Sequence, residues 1–187
     1  MNITVYLGSR LGNDSSYSHY AYALGAHIAS HGHTLVYGGS KTGLMGLLAD
    51  GALDHEGRVI GVEPAFFVQR EVQHPRLTEL IITEDMSERK KKMMELGHVF
   101  LAFPGGIGTL EELSEVLCHI KLGLLQGTFA FLDFNGFYQP LKAYVEHMAK
   151  EGFIEEEWVE GIPFIETMEA LDRFLDSIGA ENRTCMM

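Results

Sequence analysis

An apolar run, Val99-Phe100-Leu101-Ala102-Phe103, stops at Pro104-Gly105-Gly106-Ile107-Gly108 and gives way at once to a helical pattern from Thr109 to Leu125. A run with no polar alternation reads as a strand buried on both faces, and such strands belong to parallel sheets. Parallel neighbours need a crossover, ordinarily a helix. The rest of the chain repeats this alternation. Ile3 to Leu7, Thr34 to Tyr37, Arg58 to Val62, Leu77 to Thr83 and Phe129 to Asp133 read as strands. Tyr17 to Ser30, Leu44 to His55, Ser87 to Leu96, Tyr138 to Lys150 and Met168 to Ser177 read as helices. The expected fold is therefore α/β, a single-domain, Rossmann-like, doubly wound parallel sheet with helices on both faces. One domain is expected over residues 1–180, with a frayed tail at 181–187.

Composition narrows the function. A chain of 187 residues with 46% hydrophobic and 21% charged side chains is ordinary globular protein, long enough to bury a core. No apolar run approaches the roughly 20 residues of a membrane span, and Met1 to Leu7 lacks the basic start of a signal peptide. The two cysteines, Cys118 and Cys185, make neither a disulfide framework nor a metal pattern. A cytoplasmic setting is expected, with no membrane partner. A net charge of −12 argues against a nucleic-acid partner, which needs a basic face. It leaves room for a small anion held by backbone amides.

In an open parallel sheet, ligands bind at the carboxyl ends of the strands. Three such ends carry glycine: Gly8, Gly38-Gly39 and Gly105-Gly106-Ile107-Gly108. In the last, the strand turns straight into a helix, whose first amides lack intrahelical partners and form an anion site with the helix dipole. Thr109 adds a hydroxyl. The spacing is neither the dinucleotide fingerprint nor a P-loop. On the helix itself, Leu110, Leu113, Leu117, Ile120 and Leu124 form one apolar stripe expected to pack on the sheet. Glu111 and Glu115 point away from it. Glu112 lies at its flank, either as a first-turn acid favourable to the dipole or as a partly buried carboxylate beside the anion site.

A second cluster is Asp85-Met86-Ser87-Glu88-Arg89-Lys90-Lys91-Lys92. Ser87 reads as the helix N-cap. Arg89, Met93 and Leu96 share one face, so Arg89 falls on the inward stripe and needs an acidic group or a phosphate as partner. Lys91 and Lys92 read as a solvated basic face. Asp14 and Ser16 read as capping residues, and Tyr17 and Tyr20 as packing residues or pocket walls. His31 and His33 form no clear ligand set, so no metal and no cofactor is implied.

These residues together resemble the LOG family, the "lysine decarboxylase-like" phosphoribohydrolases. The family hallmark, Pro-Gly-Gly-x-Gly-Thr-x-x-Glu with an upstream Arg-Lys pair, stands here as Pro104 to Glu112 and Arg89-Lys90. Gly38 to Gly46 is similar to the family's second glycine motif and Gly8-Ser9 to its first-strand loop; the likeness spans residues 2–155. The resemblance implies Arg89 and Glu112 as the catalytic pair, and Gly105, Gly106, Gly108 and Thr109 as holders of a 5′-phosphate. Gly8, Ser9, Gly38, Gly39, Met86 and Lys90 complete the substrate-binding set. The chain departs from the pattern at Ser87, where the family has His, and at Cys118 to Leu125, where the family has a Trp-Ala-Gln type segment. By the same resemblance, both departures are expected where the base is read. No lysine stands in a context suited to a pyridoxal Schiff base.

The implied reaction is hydrolysis of the N-glycosidic bond of a purine nucleoside 5′-monophosphate, N6-modified adenine included, to free base and ribose 5-phosphate. Glu112 stabilises the cationic sugar or positions water, and Arg89 orients Glu112 or helps the departing base. The alternative is a non-catalytic nucleotide or cofactor carrier on the same fold, which needs the phosphate loop but not the Arg89 and Glu112 pair. His119 is expected beside the base. Cys118, Leu122 and Leu125 lie opposite the sheet-facing stripe, and with the resemblance they imply a homodimer.

Overall fold

The alternation is realised strand by strand in a computed structural model that describes residues 1–70 and 72–184, with side chains as far as residue 179. The first 127 residues hold β1 (Asn2–Tyr6), α1 (Ser16–Ser30), β2 (Thr34–Tyr37), α2 (Gly43–Asp54), β3 (Arg58–Pro64), α3 (Ala65–Val68), β4 (Glu79–Thr83), α4 (Met86–Leu96), β5 (Val99–Ala102) and α5 (Ile107–Lys121). The strands of this unit (Met1–Gly127) lie in the order β4-β3-β2-β1-β5, every neighbour parallel. Strand order reverses direction at β1, which pairs with β2 on one side and β5 on the other. That is the switch point at which open α/β sheets bind ligands.

Helices cover both faces of these five strands. α1 and α2 pack together on one face, while α4 returns the chain to β5 over the other. Thr4 of β1 donates to the carbonyl of Met93 at 3.2 Å, so Thr4 faces α4, and Tyr6, two residues on, faces the same way. Ile3 and Val5 face the opposite layer, and both are fully buried. α1 buries Ala21, Leu24, Gly25 and Ile28, an i, i+3, i+4, i+7 stripe. It packs closely on α2: a Cβ added to Gly25 would lie 2.0 Å from the Leu48 carbonyl oxygen.

The second unit, Thr128–Met187, holds β6 (Thr128–Leu132), a 3₁₀ turn at Phe134–Gly136, α6 (Gln139–Lys150), α7 (Glu156–Glu160), β7 (Phe164–Ile165) and α8 (Met168–Thr184). β6 and β7 pair in parallel, and the rings of Phe131 and Phe164 stack at 4.7 Å. Buried Asp133 accepts from the Tyr138 amide at 2.6 Å and from the Gln139 side chain, which fixes the turn into α6. Of the tail at 181–187, the first four residues belong to α8, and 185–187 lie outside the described residues. Among the described residues no helix is long and apolar enough to cross a membrane.

Several boundaries differ from the pattern reading, each for a local reason. β4 starts at Glu79, because Thr78 bonds Val59 with its own hydroxyl (3.0 Å from the Val59 amide) and so precedes the regular ladder. α4 starts one residue early, at Met86. Its N-cap is Asp85, which accepts from the Glu88 amide at 2.9 Å; Ser87 lies inside the helix. At α1 the N-cap position is Ser15, and the Asp14 carboxylate accepts from the Ser16 amide at 2.9 Å. α3, α7 and β7 are too short to show a period.

Candidate active site

The β1 and β5 loops meet at the switch point. The Gly8 amide donates to the Pro104 carbonyl at 3.1 Å, and a Cβ on Gly8 would stand 3.1 Å from the Gly105 Cα. A Cβ on Gly105 would lie 2.2 Å from the Thr109 hydroxyl, so the missing side chain lets Thr109 tuck under the loop, where it is buried. Gly106 is the N-cap of α5 and offers no side-chain cap. Both Gly106 and Gly108 are exposed, with open space where a side chain would stand. The first amides of α5 therefore face outward at the positive end of the dipole, a site for a phosphate-sized anion.

α4 delivers Arg89 to the same edge of the sheet. Its Nε donates to the Val62 carbonyl at 3.0 Å, and its Nη1 donates to Glu112 Oε1 at 2.6 Å. Both residues are only 8% exposed. Gly38 makes room for this: a Cβ there would stand 2.1 Å from Arg89 Nη2. Burial raises the Glu112 carboxyl above the usual carboxylate range, and the Arg89 guanidinium partly offsets it. Beside the pair lies the Tyr6 phenol, whose buried oxygen has no hydrogen-bond partner. Burial and the Glu112 charge push that phenol above its usual range.

The buried face of α5 differs from the expected stripe. Thr109, Glu112, Leu113 and Val116 are buried, whereas Leu110 is 39% and Leu124 70% exposed. The helix stops at Lys121, and Gly123 takes a positive φ of 68°, so Leu124 is not on the helix at all. Glu112 thus belongs to the inward face rather than its flank. Glu111 and Glu115 project to the side and meet Lys90, with 2.8 Å to Glu115. Those acids raise the Lys90 ammonium above its ordinary value. This pairing ties α4 to α5 beside the Arg89 contact. Lys91 is solvated, its side chain 77% exposed.

Of the residues singled out in the sequence, Arg89, Glu112 and Gly38 converge, and Gly8, Gly105 and Thr109 converge next to the open amides of α5. Ser9 and Met86 are exposed. Ser9 packs against the start of α2, since a Cβ on Gly43 would lie 2.2 Å from its carbonyl oxygen. His119 is partly exposed, and its ring bonds the Glu115 carbonyl of its own helix at 2.8 Å. Glu63, a buried acid at the end of β3 beneath Gly39, does not stand out in the sequence pattern. Its signal was a lone carboxylate closing the apolar run Val59-Ile60-Gly61-Val62. A cleft of about 720 Å³ in the second unit, lined by Phe131, Lys142 and Phe164 among others, contains none of these residues.

Residues 45–174 match the family model described as "possible lysine decarboxylase". The chain is 46% identical over 154 residues to the cytokinin riboside 5′-monophosphate phosphoribohydrolase of Rhodococcoides fascians, covering 82% of this chain and 78% of that one. It is 40% identical over 155 residues to the cytokinin riboside 5′-monophosphate phosphoribohydrolase LOG of Oryza sativa subsp. japonica, covering 83% of this chain and 64% of the rice protein. Among solved structures, the molybdenum cofactor carrier protein of Chlamydomonas reinhardtii superposes with a TM-score of 0.73 at 20% identity, over 96% of this chain and 98% of that one. At that identity the likeness is one of fold.

Proposed function

The chain belongs to the LOG family of N-glycosidic hydrolases, and we propose that its substrate is a purine nucleoside 5′-monophosphate, cleaved by water to free base and ribose 5-phosphate. The observation that carries this reading is the buried 2.6 Å Arg89–Glu112 pair beside an uncapped, open helix N-terminus. The 5′-phosphate lies on the amides of Gly106 and Gly108 and the hydroxyl of Thr109, with Gly8, Ser9 and Gly105 forming the other loop wall. Gly38 and Gly39 form the wall of the site at the β2 end, and Gly38 leaves room there for the Arg89 guanidinium. Lys90, held by Glu111 and Glu115, fixes α4 against α5 beside the site, and Met86 lies on the rim.

Cleavage breaks the bond between C1′ and the base nitrogen, forms a C1′–oxygen bond to water, and sends a proton out with the base. Positive charge builds on the ribose in between. The Glu112 carboxylate faces that charge and stabilises it in a water-poor site, where a fixed charge acts most strongly. Arg89 holds Glu112 in place through a bond anchored to the Val62 carbonyl. Phosphate binding fixes the sugar against this pair, so binding energy remote from the bond is used for orientation.

N6-modified adenine nucleotides belong to the substrate range we propose, and the working compartment is the cytoplasm. The working form is a homodimer through α5 and the turn after it, where Ile107, Leu110, Leu122 and Leu124 expose apolar surface beside the free thiol of Cys118. Light scattering should give twice the chain mass of 20.8 kDa. To test the activity, the purified protein is incubated with AMP, GMP, IMP, CMP, UMP and N6-isopentenyl-AMP, and free base and ribose 5-phosphate are followed by chromatography. Release from a purine nucleotide is expected. Tight AMP binding with no release from any of the six would replace the hydrolase with the carrier reading.

A further inference from the structure

Gly38 and Gly39 stand side by side at the end of β2, and each gives its side-chain space to a charged group from elsewhere. Gly38 yields to the Arg89 guanidinium, while Gly39, at φ +83°, has Glu63 Cβ 3.2 Å from where its own Cβ would be. Glu63 is 2% exposed, and its Oε2 has no hydrogen-bond partner. It immediately follows Val62, whose carbonyl anchors Arg89. Among the described residues Arg89 is the one buried Lys or Arg, yet Glu63 and Glu112 are both buried acids. One guanidinium cannot neutralise two carboxylates, and an uncompensated buried charge costs several kcal/mol. Glu63 lacks a bond of the kind Glu112 has, and burial favours its protonated form over a wider pH range than that of a free carboxylate.

We infer that Glu63 is a positioning residue for Arg89: Glu63 keeps its proton, which leaves the guanidinium on Glu112 and keeps Glu112 ionised. The asymmetry lies in the contacts. Glu112 receives a 2.6 Å bond from Arg89, whereas Glu63 Oε2 receives none. Other groups around Glu63 do not supply the missing charge. On β4 it stands beside Ile82. Tyr37 of β2 gives its hydroxyl to the Ser40 carbonyl at 3.1 Å. Asp50 of α2 is engaged with His74, 3.2 Å away, and with Arg76. α3 carries no titratable side chain. Burial raises the Glu63 carboxyl, with the Arg89 charge as the opposing influence.

When Glu63 ionises at higher pH it competes for Arg89 and loosens the hold on Glu112. This consequence for turnover rests on the hydrolase reading; the placement of the proton does not. The deciding experiment therefore needs no substrate. Melting temperatures of wild type and Glu63→Gln are measured by calorimetry from pH 4 to pH 9. An acid whose folded pKa is raised contributes stability that is lost as pH rises through that value. Glutamine mimics the protonated acid and escapes the loss, so the two curves run together at pH 4 and Glu63→Gln gains roughly 3 °C over wild type by pH 9. A Glu63→Gln protein that loses ground as pH rises, or that fails to fold, would overturn the inference, because Glu63 would then be the ionised partner. Carboxyl ¹³C titration of the wild-type protein gives an independent reading: Glu63 should titrate above Glu112, and the reverse order contradicts the proposal. In the turnover profile, wild type should show an upper transition that Glu63→Gln lacks, with the acid limb unmoved.

Discussion

Arg89 and Glu112 sit on different helices, 23 residues apart, and meet at 2.6 Å with nine-tenths of each side chain out of water. A buried pair of this kind is not primarily a stabilising device, since desolvation offsets most of the attraction. Breaking it is another matter. Arg89→Met leaves Glu112 without its partner and should cost about 3–5 kcal/mol at pH 8. The cost should shrink toward pH 5. Without the guanidinium the Glu112 carboxyl rises still further, so the variant loses stability as pH climbs through that value and regains it as Glu112 takes up a proton. The double variant Arg89→Met/Glu112→Leu should melt above the single one at pH 8. Calorimetry at the two pH values decides both points.

Gly38 offers a second handle on the same contact. Gly38→Ala places a methyl 2.1 Å from where Nη2 of Arg89 now lies, so the guanidinium must move. Gly38 does not need a positive φ, which leaves the backbone unstrained. Turnover should fall by up to about a hundredfold, the scale expected of a misplacement near 1 Å, while overpacking costs about 1–3 kcal/mol of stability. Steady-state kinetics beside a melting curve separates this from general unfolding.

The phosphate loop predicts a different signature. Thr109→Val keeps the buried volume and removes one hydroxyl from the loop. KM for the nucleotide should rise by about fivefold to tenfold with kcat little changed, matching the loss of about 1 kcal/mol of uniform binding. Ribose 5-phosphate should inhibit competitively, and adenosine, lacking the phosphate, should be a poor substrate. A fall in kcat with KM unmoved would place Thr109 outside the phosphate contact.

Much of this site was legible as local pattern. The glycine turns at the ends of β1, β2 and β5 stood out because so few residues fit a strand that turns at once into a helix. Arg89 stood out as a charge on an otherwise apolar helical face. The buried face of α5 was not legible, because hydropathy ranked Leu110 and Leu124 above Thr109 and Glu112, while the packing against β1 and β5 chose the reverse. Glu63 escaped for a related reason: its neighbours in space, Gly39 and Arg89, are 24 and 26 residues away in sequence. The helix cap shows how narrowly such readings miss. Asp85 and Ser87 both suit an N-cap, and only the structure assigns it to Asp85.

That assignment has its own test. Asp85→Ala removes the acceptor for the Glu88 amide and should cost about 0.5–2 kcal/mol, with some loss of turnover because Arg89 lies in the next turn. Ser87→Ala, an exposed position inside the helix, should leave stability unchanged or slightly raised. Denaturant midpoints of the two proteins suffice, and equal losses would mean that the cap is shared.

In the proposed mechanism the ionised Glu112 carboxylate drives cleavage at C1′. Glu112→Gln keeps the shape and removes the charge. The measurement is ribose 5-phosphate release from the best purine nucleotide by wild type and by Glu112→Gln at equal, verified folding. Wild type should release it, and the variant should lose at least about a hundredfold, with nucleotide binding retained. Near wild-type turnover by Glu112→Gln would mean that the charge of Glu112 does not drive cleavage.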